Sequence, residues 1–437
     1  MTEASPEQPA TRTIKVGALA RVEGEGGLLV RMKDGAVTDV QLRIFEPPRF
    51  FEALLRGRMY TDAPDITSRI CGICPIAYII SASLAMEDAL DARVTGILRD
   101  LRRLAYCGEW IESHVLHVAM LHAPDFLRVD DIFAMAKTHP ELVKNALRLK
   151  KLGNRIIEIV GGRAVHPVNF RVGGFYSAPS DRDVGALRDE LRWGVEAAVA
   201  LTRAVSAFEF PPLEQDYGYV SLRHEEEYPI EAGRIVSTQG LDIPVSAFLY
   251  HFAEEHVARS TALHGMTRQG DRYLVGPLAR YANNFDRLTP LAQETARQAG
   301  LGPVCRNPFQ SIVVRMVEVV YACEEALRLV ESYAPPDRPC VPLTPGSGEG
   351  HGASEAPRGL LYHGYRLDLD GRIAWATIVP PTAQNQKQIE ADLRAVVAAN
   401  ASAADADLRW RCEQTIRNYD PCISCATHFL DLTVVRE

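Results

Sequence analysis

The chain has 437 residues, 47% of them hydrophobic and 24% charged, so it is neither disordered nor fibrous and carries enough apolar material for a large core. With 56 Asp and Glu against 48 Lys and Arg, the formal charge of -8 offers no basic field to nucleic acid or to an anionic membrane. No apolar run approaches the ~20 residues that span a bilayer, and the opening MTEASPEQPATR lacks the order of a signal peptide, so a cytoplasmic protein is expected.

In chain order, residues 1–12 are polar and proline-containing and read as a disordered tail. Over 13–47, β-branched and polar residues alternate around the turn signals Gly24-Glu25-Gly26-Gly27 and Lys33-Asp34-Gly35, predicting a small antiparallel β region. A short helix is expected from Phe50 to Arg56. Five segments, 75–90, 93–122, 141–160, 183–208 and 311–333, then repeat apolar residues at i, i+3, i+4 and i+7, which predicts a central bundle of long helices. Between them, 217–275 has shorter patterns punctuated by Pro and Gly and reads as an α+β excursion. The stretch 345–359 is too glycine-rich for helix, 359–379 reads as a hairpin turning at Asp370-Gly371, and a last helix is expected over 386–399. The fold class is therefore α+β, mainly α, with small antiparallel β regions around a helical bundle, in a single domain over 13–428.

Nine cysteines form no disulfide framework. Cys71/Cys74 and Cys422/Cys425 make two C-x-x-C pairs, whereas Cys107, Cys305, Cys323, Cys340 and Cys412 stand singly and read as small buried side chains. Two such turns brought together supply four thiolates to a metal. A structural Cys₄ zinc site is the bland reading, but zinc-ribbon pairs are usually about 15–20 residues apart. These pairs are about 350 apart and need a folded bundle to meet. A thioredoxin-type redox pair would need a βαβ unit, and none is visible.

The pairs stand in the motifs R-I-C-G-I-C (Arg69 to Cys74) and D-P-C-I-S-C-A-T-H (Asp420 to His428). Five further blocks accompany them: R-V-E-G at 21–24, R-F-F-E-A-L-L-R-G-R at 49–58, G-G-R-A-V-H-P at 161–167, E-A-P-R-G at 355–359 and P-T-A-Q-N at 381–385. Together they resemble the large, catalytic subunit of nickel-iron hydrogenases, most of all the alpha subunit of cytosolic bidirectional NAD(P)-linked hydrogenases, also called sulfhydrogenases. The resemblance implies the fold of that subunit and reversible heterolytic cleavage of H2. It makes Cys71, Cys74, Cys422 and Cys425 the ligands of a Ni-Fe(CN)2(CO) centre, with Cys74 and Cys425 bridging to iron, and soft thiolates suit both metals. Glu23 matches the proton-gate glutamate beside Cys422, where a carboxylate fits a general base. Arg358 matches the arginine over the open metal position, paired with Asp420, and Thr382 matches a hydroxyl residue that donates to a cyanide. Glu52, His428 and a backbone carbonyl match the ligands of a structural Mg2+ or Fe2+ ion. The P-T-x-x-N block puts that carbonyl at Ile378; counting from Arg358 puts it at Thr377.

The chain departs from the family pattern at Glu25, where E-G-H is common, at Tyr78, where C-x-x-C-x-x-x-H is common, and at Ser113, where some relatives place an aspartate. Tyr78 is expected to change hydrogen bonding rather than metal content. His114 and His117 lie at i, i+3 and either relay protons or pack in the core; His166 is either structural or close to the site. No G-x-G-x-x-G, no phosphate-binding loop and no further cysteine cluster with iron-sulfur spacing is present, so the chain is expected to hold neither nucleotide nor iron-sulfur cluster. The resemblance supplies an iron-sulfur small subunit, flavin and NAD(P)-binding subunits, and a maturation protease that removes the tail 429–437. Two readings from other classes remain beside it: a cluster-less structural subunit like one in respiratory complex I, and a zinc-stabilised binding protein.

Overall fold

A computed structural model describes residues 11–428. Residues 1–10 and the tail 429–437 lie outside the described residues, and residues 11 and 12 open the first strand rather than belonging to a tail. Strands β1 (Thr11–Val16), β2 (Gly26–Lys33) and β3 (Ala36–Ile44) form an antiparallel sheet in that order. Their alternation points Ile14, Val16, Leu28, Val30, Val40 and Leu42 into the core, as the period of two requires. The short helix α1 spans Phe51–Leu55.

The bundle is built from α2 (Pro75–Ala89), α3 (Ile97–Val115), α4 (Pro140–Gly161), α5 (Arg188–Ser206) and α6 (Ser311–Glu331). The α3 pattern continues past Val115, but over Leu116–His122 the helix widens into π geometry. The segment expected as one helix over 183–208 is two, a short one at Asp181–Gly185 and then α5. Helices α3 and α4 touch backbone to backbone: a Cβ on Gly108 would meet the Gly153 carbonyl oxygen at 2.9 Å, and one on Gly153 would meet the Glu112 nitrogen at 2.7 Å. An interior glycine costs a helix roughly 0.5–1 kcal/mol, which this close packing offsets.

The 217–275 region holds the sheet β4 (Val220–Arg223), β5 (Arg234–Ser237), β6 (Asp242–Ile243) and the pair β7 (Phe252–Glu255), β8 (His264–Thr267), with a small hydrophobic cluster that it shares with Ala353, Leu360, Tyr362 and Val379. The expected hairpin is present as β10 (Gly359–Leu367) and β11 (Ile373–Val379). The glycine-rich stretch adds β9 (Gly348–Ala356) to it, because Gly348, Gly350 and Gly352 alternate along the strand and lie directly on the α2 backbone at Ala89, Ala85 and Ser81. The C-terminal part differs from the reading. Helix α7 begins at Pro381 and runs to Ala399, and α8 (Asp405–Arg417), which was not expected, follows before the four-residue α9 (Ile423–Ala426). Only Leu408, Cys412 and Ile416 of the α8 hydrophobic side chains are buried, too thin a stripe to read as periodicity. No helix among the described residues is long and apolar enough to cross a membrane.

Candidate metal centre

The first cysteine turn sits at the start of α2, with Cys74 as N-cap and Pro75 at the first helical position. The free N–H groups of that first turn are taken up by a carboxyl from α3: Glu109 accepts from Ile76 N at 2.6 Å and Ala77 N at 3.1 Å. Burial holds the Glu109 pKa well above the usual carboxylate range. The second turn begins the short α9, with Cys422 as its N-cap, and is gripped from outside. Ile423 N and Ser424 N donate to the Glu23 carbonyl and carboxylate, both at 3.1 Å, and Cys422 N donates to Thr382 Oγ1 at 3.0 Å. Arg49 ties the two turns together, donating to Ile70 O at 2.7 Å and also to Ser424 O.

The four sulfurs of Cys71, Cys74, Cys422 and Cys425 all lie within 4.8 Å of one another, are buried, and form no disulfide. Sγ of Cys422 is 3.3 Å from that of Cys71 and 3.0 Å from that of Cys425; Cys74 and Cys425 are 3.8 Å apart. Hydrogen bonds from Cys422, Cys425 and Cys74 pull the Cys71 thiol well below its ordinary pKa, while Cys422 is pushed well above by the bonds it makes to Cys425 and Cys71. Four thiolates at one point need a cation to form, and soft sulfur donors fit nickel and low-spin iron.

Above the sulfurs, Arg358 is fixed by three partners. Its Nε donates to Asp420 O at 2.7 Å, one terminal nitrogen to Asp420 Oδ1 at 3.1 Å, and the other to Ser113 Oγ at 3.3 Å. Asp420 holds a left-handed φ of 51°, uncommon outside glycine, which these contacts over-determine. Burial works against the Arg358 charge, but Asp420 and the cysteines outweigh it and its pKa lies well above the ordinary value. Cys422 Sγ donates to Glu23 Oε2 at 3.1 Å, so the carboxylate meets the sulfur directly.

A second constellation brings Glu52, Ile378 and His428 together. Glu52 accepts from Ile378 N at 2.7 Å, and the His428 ring sets Nε2 3.1 Å from Ile378 O and Nδ1 on Cys425 O. The carbonyl facing the imidazole is that of Ile378, not Thr377. Burial raises Glu52 to about 7 and lowers His428 to about 4, so the imidazole is neutral, the form that ligates metals. Glu254, raised to about 8 by burial and by Glu52, lines a hollow of about 440 Å³ with Glu52 and Thr377. The two carboxyls of this hollow and the nearby Ile378 carbonyl are oxygen donors of the kind a hard divalent cation takes.

All eleven residues singled out from the sequence therefore fall into these two groups. His114 and His117 are core residues on one ring nitrogen, bonded to Glu318 at 2.9 Å and to Arg417 O at 2.7 Å. His166 holds Ser68 O at 2.8 Å, close beneath the first turn at Gly72. The sequence reading missed Glu109, Arg49 and Glu254. For Glu109 a signal existed, an acid inside the apolar run LAYCGEWI, and Arg49 opens the block R-F-F-E-A-L-L-R-G-R; Glu254 carries none, being one acid in the polar run A-E-E-H.

The sequence pattern of the nickel-dependent hydrogenases matches residues 49–145 and 269–428, which contain both cysteine turns. Over 427 residues the chain is 32% identical to sulfhydrogenase 2 subunit alpha of Pyrococcus furiosus, covering 96% of this chain and 100% of that one. It is 27% identical to the NAD-reducing hydrogenase HoxS subunit beta of Cupriavidus necator, over 96% and 95% of the two chains. Among solved structures, an NAD+-reducing [NiFe]-hydrogenase in the H2-reduced state superposes with a TM-score of 0.89 at 26% identity, over 96% of this chain and 100% of that one. A cluster-less coupling subunit has no use for four converging thiols, and a structural zinc site has none for Glu23 and Arg358. The chain belongs to the nickel-dependent hydrogenase family, oxidoreductases that act on H2, and is of the large-subunit type.

Proposed function

We propose that this chain is the H2-cleaving subunit of a multi-subunit, NAD(P)-linked nickel-iron hydrogenase. The observation that carries the reading is the convergence of four buried sulfurs beneath the Arg358 guanidinium, with Glu23 hydrogen-bonded to one of them. Cys71, Cys74, Cys422 and Cys425 would hold a Ni-Fe(CN)2(CO) centre. When bound, that centre supplies the heterolytic cleavage of H2. The chain does the rest. Glu23 takes the proton from Cys422 Sγ and passes it outward. Arg358, held by Asp420 and Ser113, presents a fixed positive charge over the sulfurs, and the Thr382 hydroxyl, whose oxygen accepts from Cys422 N, keeps its own proton free to donate into the site. Glu52, His428 and Ile378 O would hold Mg2+ or Fe2+, pinning the segment after Cys425.

Electrons need a carrier that this chain's motifs do not supply, so an iron-sulfur subunit would dock beside the first turn. Val165 packs next to Gly72, and it, Leu54, Val168 and Tyr176 leave an exposed apolar surface there, the kind that marks a protein contact. Flavin and NAD(P)-binding subunits would follow, in the cytoplasm. The purified complex tests this: it should contain nickel and iron, show infrared bands of metal-bound CO and cyanide, and reduce NAD or NADP with H2, whereas the metallated chain alone should reduce neither. Zinc in place of nickel and iron overturns the reading. A maturation protease would remove 429–437, and an intact mass ending at His428 in the nickel-containing protein is the expected result; active protein retaining Glu437 excludes it.

A further inference from the structure

Tyr78 lies one turn into α2, four residues beyond Cys74, and is 1% exposed. Its hydroxyl has no hydrogen-bond partner among the described residues. A buried polar group left unpaired is destabilising, so an acceptor is expected once the site is complete. The ring is fixed edge-on against His363, with centroids 5.7 Å apart and planes at 60°, and His363 is itself held by Tyr365 Oη at 2.8 Å. The titratable groups around the hydroxyl are sulfurs, those of Cys425, Cys74 and Cys422, and Cys425 is the one in reach. In the metal-free chain Cys425 is a thiol and a poor acceptor. A metal-bound cysteine is a thiolate, which accepts only.

We propose that the Tyr78 hydroxyl donates a hydrogen bond to Cys425 Sγ when that sulfur ligates the metals, and so sets the electron density of the centre. The proposal rests on the reading that Cys425 is a ligand. Tyr78 acts through the sulfur and is a positioning residue, not a catalytic one. A donor on a ligating thiolate withdraws electron density from the metals and raises their reduction potential.

The test is infrared spectroscopy and potentiometry on the purified complex carrying Tyr78→Phe, or 3-fluorotyrosine at position 78. Loss of the donor should move the CO and cyanide stretching bands to lower frequency and lower the midpoint potential, with nickel and iron content unchanged. Fluorination, which makes the phenol a stronger donor, should move both the other way. If the Phe variant fails to assemble, the fluorotyrosine arm decides alone. Bands that coincide with the wild type overturn the proposal while leaving the metal centre intact; absence of these bands from the wild type overturns the metal-centre reading as well.

Discussion

The two cysteine turns meet at one point but are supported in opposite ways. Cys71 and Cys74 stand on the end of a fifteen-residue helix whose free N–H groups are taken up by Glu109 from the neighbouring helix, so the turn inherits the rigidity of the bundle. Cys422 caps, and Cys425 lies within, a helix of four residues that cannot sustain itself, and its geometry is imposed by Glu23, Arg49 and Thr382 from distant parts of the chain. One turn is held by its own helix, and the other is assembled by side chains from distant parts of the chain.

The severest break in the comparison is to remove a sulfur from either side. Cys71→Ala and Cys422→Ala should both abolish nickel binding and H2/D+ exchange, because neither turn alone supplies four thiolates; full nickel occupancy in either variant would falsify the shared site. Next comes Glu23, which grips the second turn and touches its sulfur. Glu23→Gln keeps a carbonyl oxygen for the Ser424 N–H but loses the proton acceptor, so metal content should hold while exchange falls by roughly 10²–10⁴-fold. Unchanged exchange would move the proton route elsewhere.

How much of this was legible in the sequence follows the same division. The helix after Cys74 announces itself by apolar periodicity, and the motifs locate all four sulfurs, Glu23, Arg358 and the Glu52–His428 pair. What supports the second turn was only partly legible. Arg49 bonds two carbonyls from turns 351 residues apart, as the Cys71–Cys422 separation shows, and no local pattern encodes such a contact. Helix α8 was missed because its buried stripe is thin, and β9 because its glycines, read as loop, are what let a strand lie on a helix backbone. Glu254 meets Glu52 only through the folding of the 217–275 region, whose short, Pro- and Gly-punctuated patterns allowed no register to be read.

A sharper form of the comparison exchanges the supports. Arg49→Met removes a brace of the assembled turn and should weaken nickel retention by about 10–100-fold, with little change in the unfolding midpoint of the metal-free chain. Glu109→Ala leaves two buried N–H groups without an acceptor and should cost the metal-free chain about 2–4 kcal/mol in denaturant unfolding. If the two variants behaved alike in both measurements, the turns would not differ in how they are held.

The smallest effect concerns the first turn's surroundings. Glu112 follows Glu109 by one helical turn on α3, pairs with Lys150 on α4 at 3.2 Å, and lies in the fields of Arg358, Cys71 and Glu109. Burial raises its pKa from 4.5 to about 7 despite the lysine. The folded chain thus holds this proton more tightly than the unfolded chain does. The resulting stability is present in full below pH 4.5 and is lost as the pH climbs to about 7. By linkage the loss is no more than about 3 kcal/mol, and less where solvent reaches Lys150. Glu112→Gln cannot titrate, so the metal-free variant should lose less stability than the metal-free wild type between pH 5 and 7.5, each measured by denaturant midpoint. Other buried carboxyls titrate in both proteins, so the difference between the two slopes isolates Glu112. Equal slopes would mean that Lys150 and Arg358 already keep Glu112 ionised at pH 5, and that the first turn's acidic surroundings are charged rather than proton-holding.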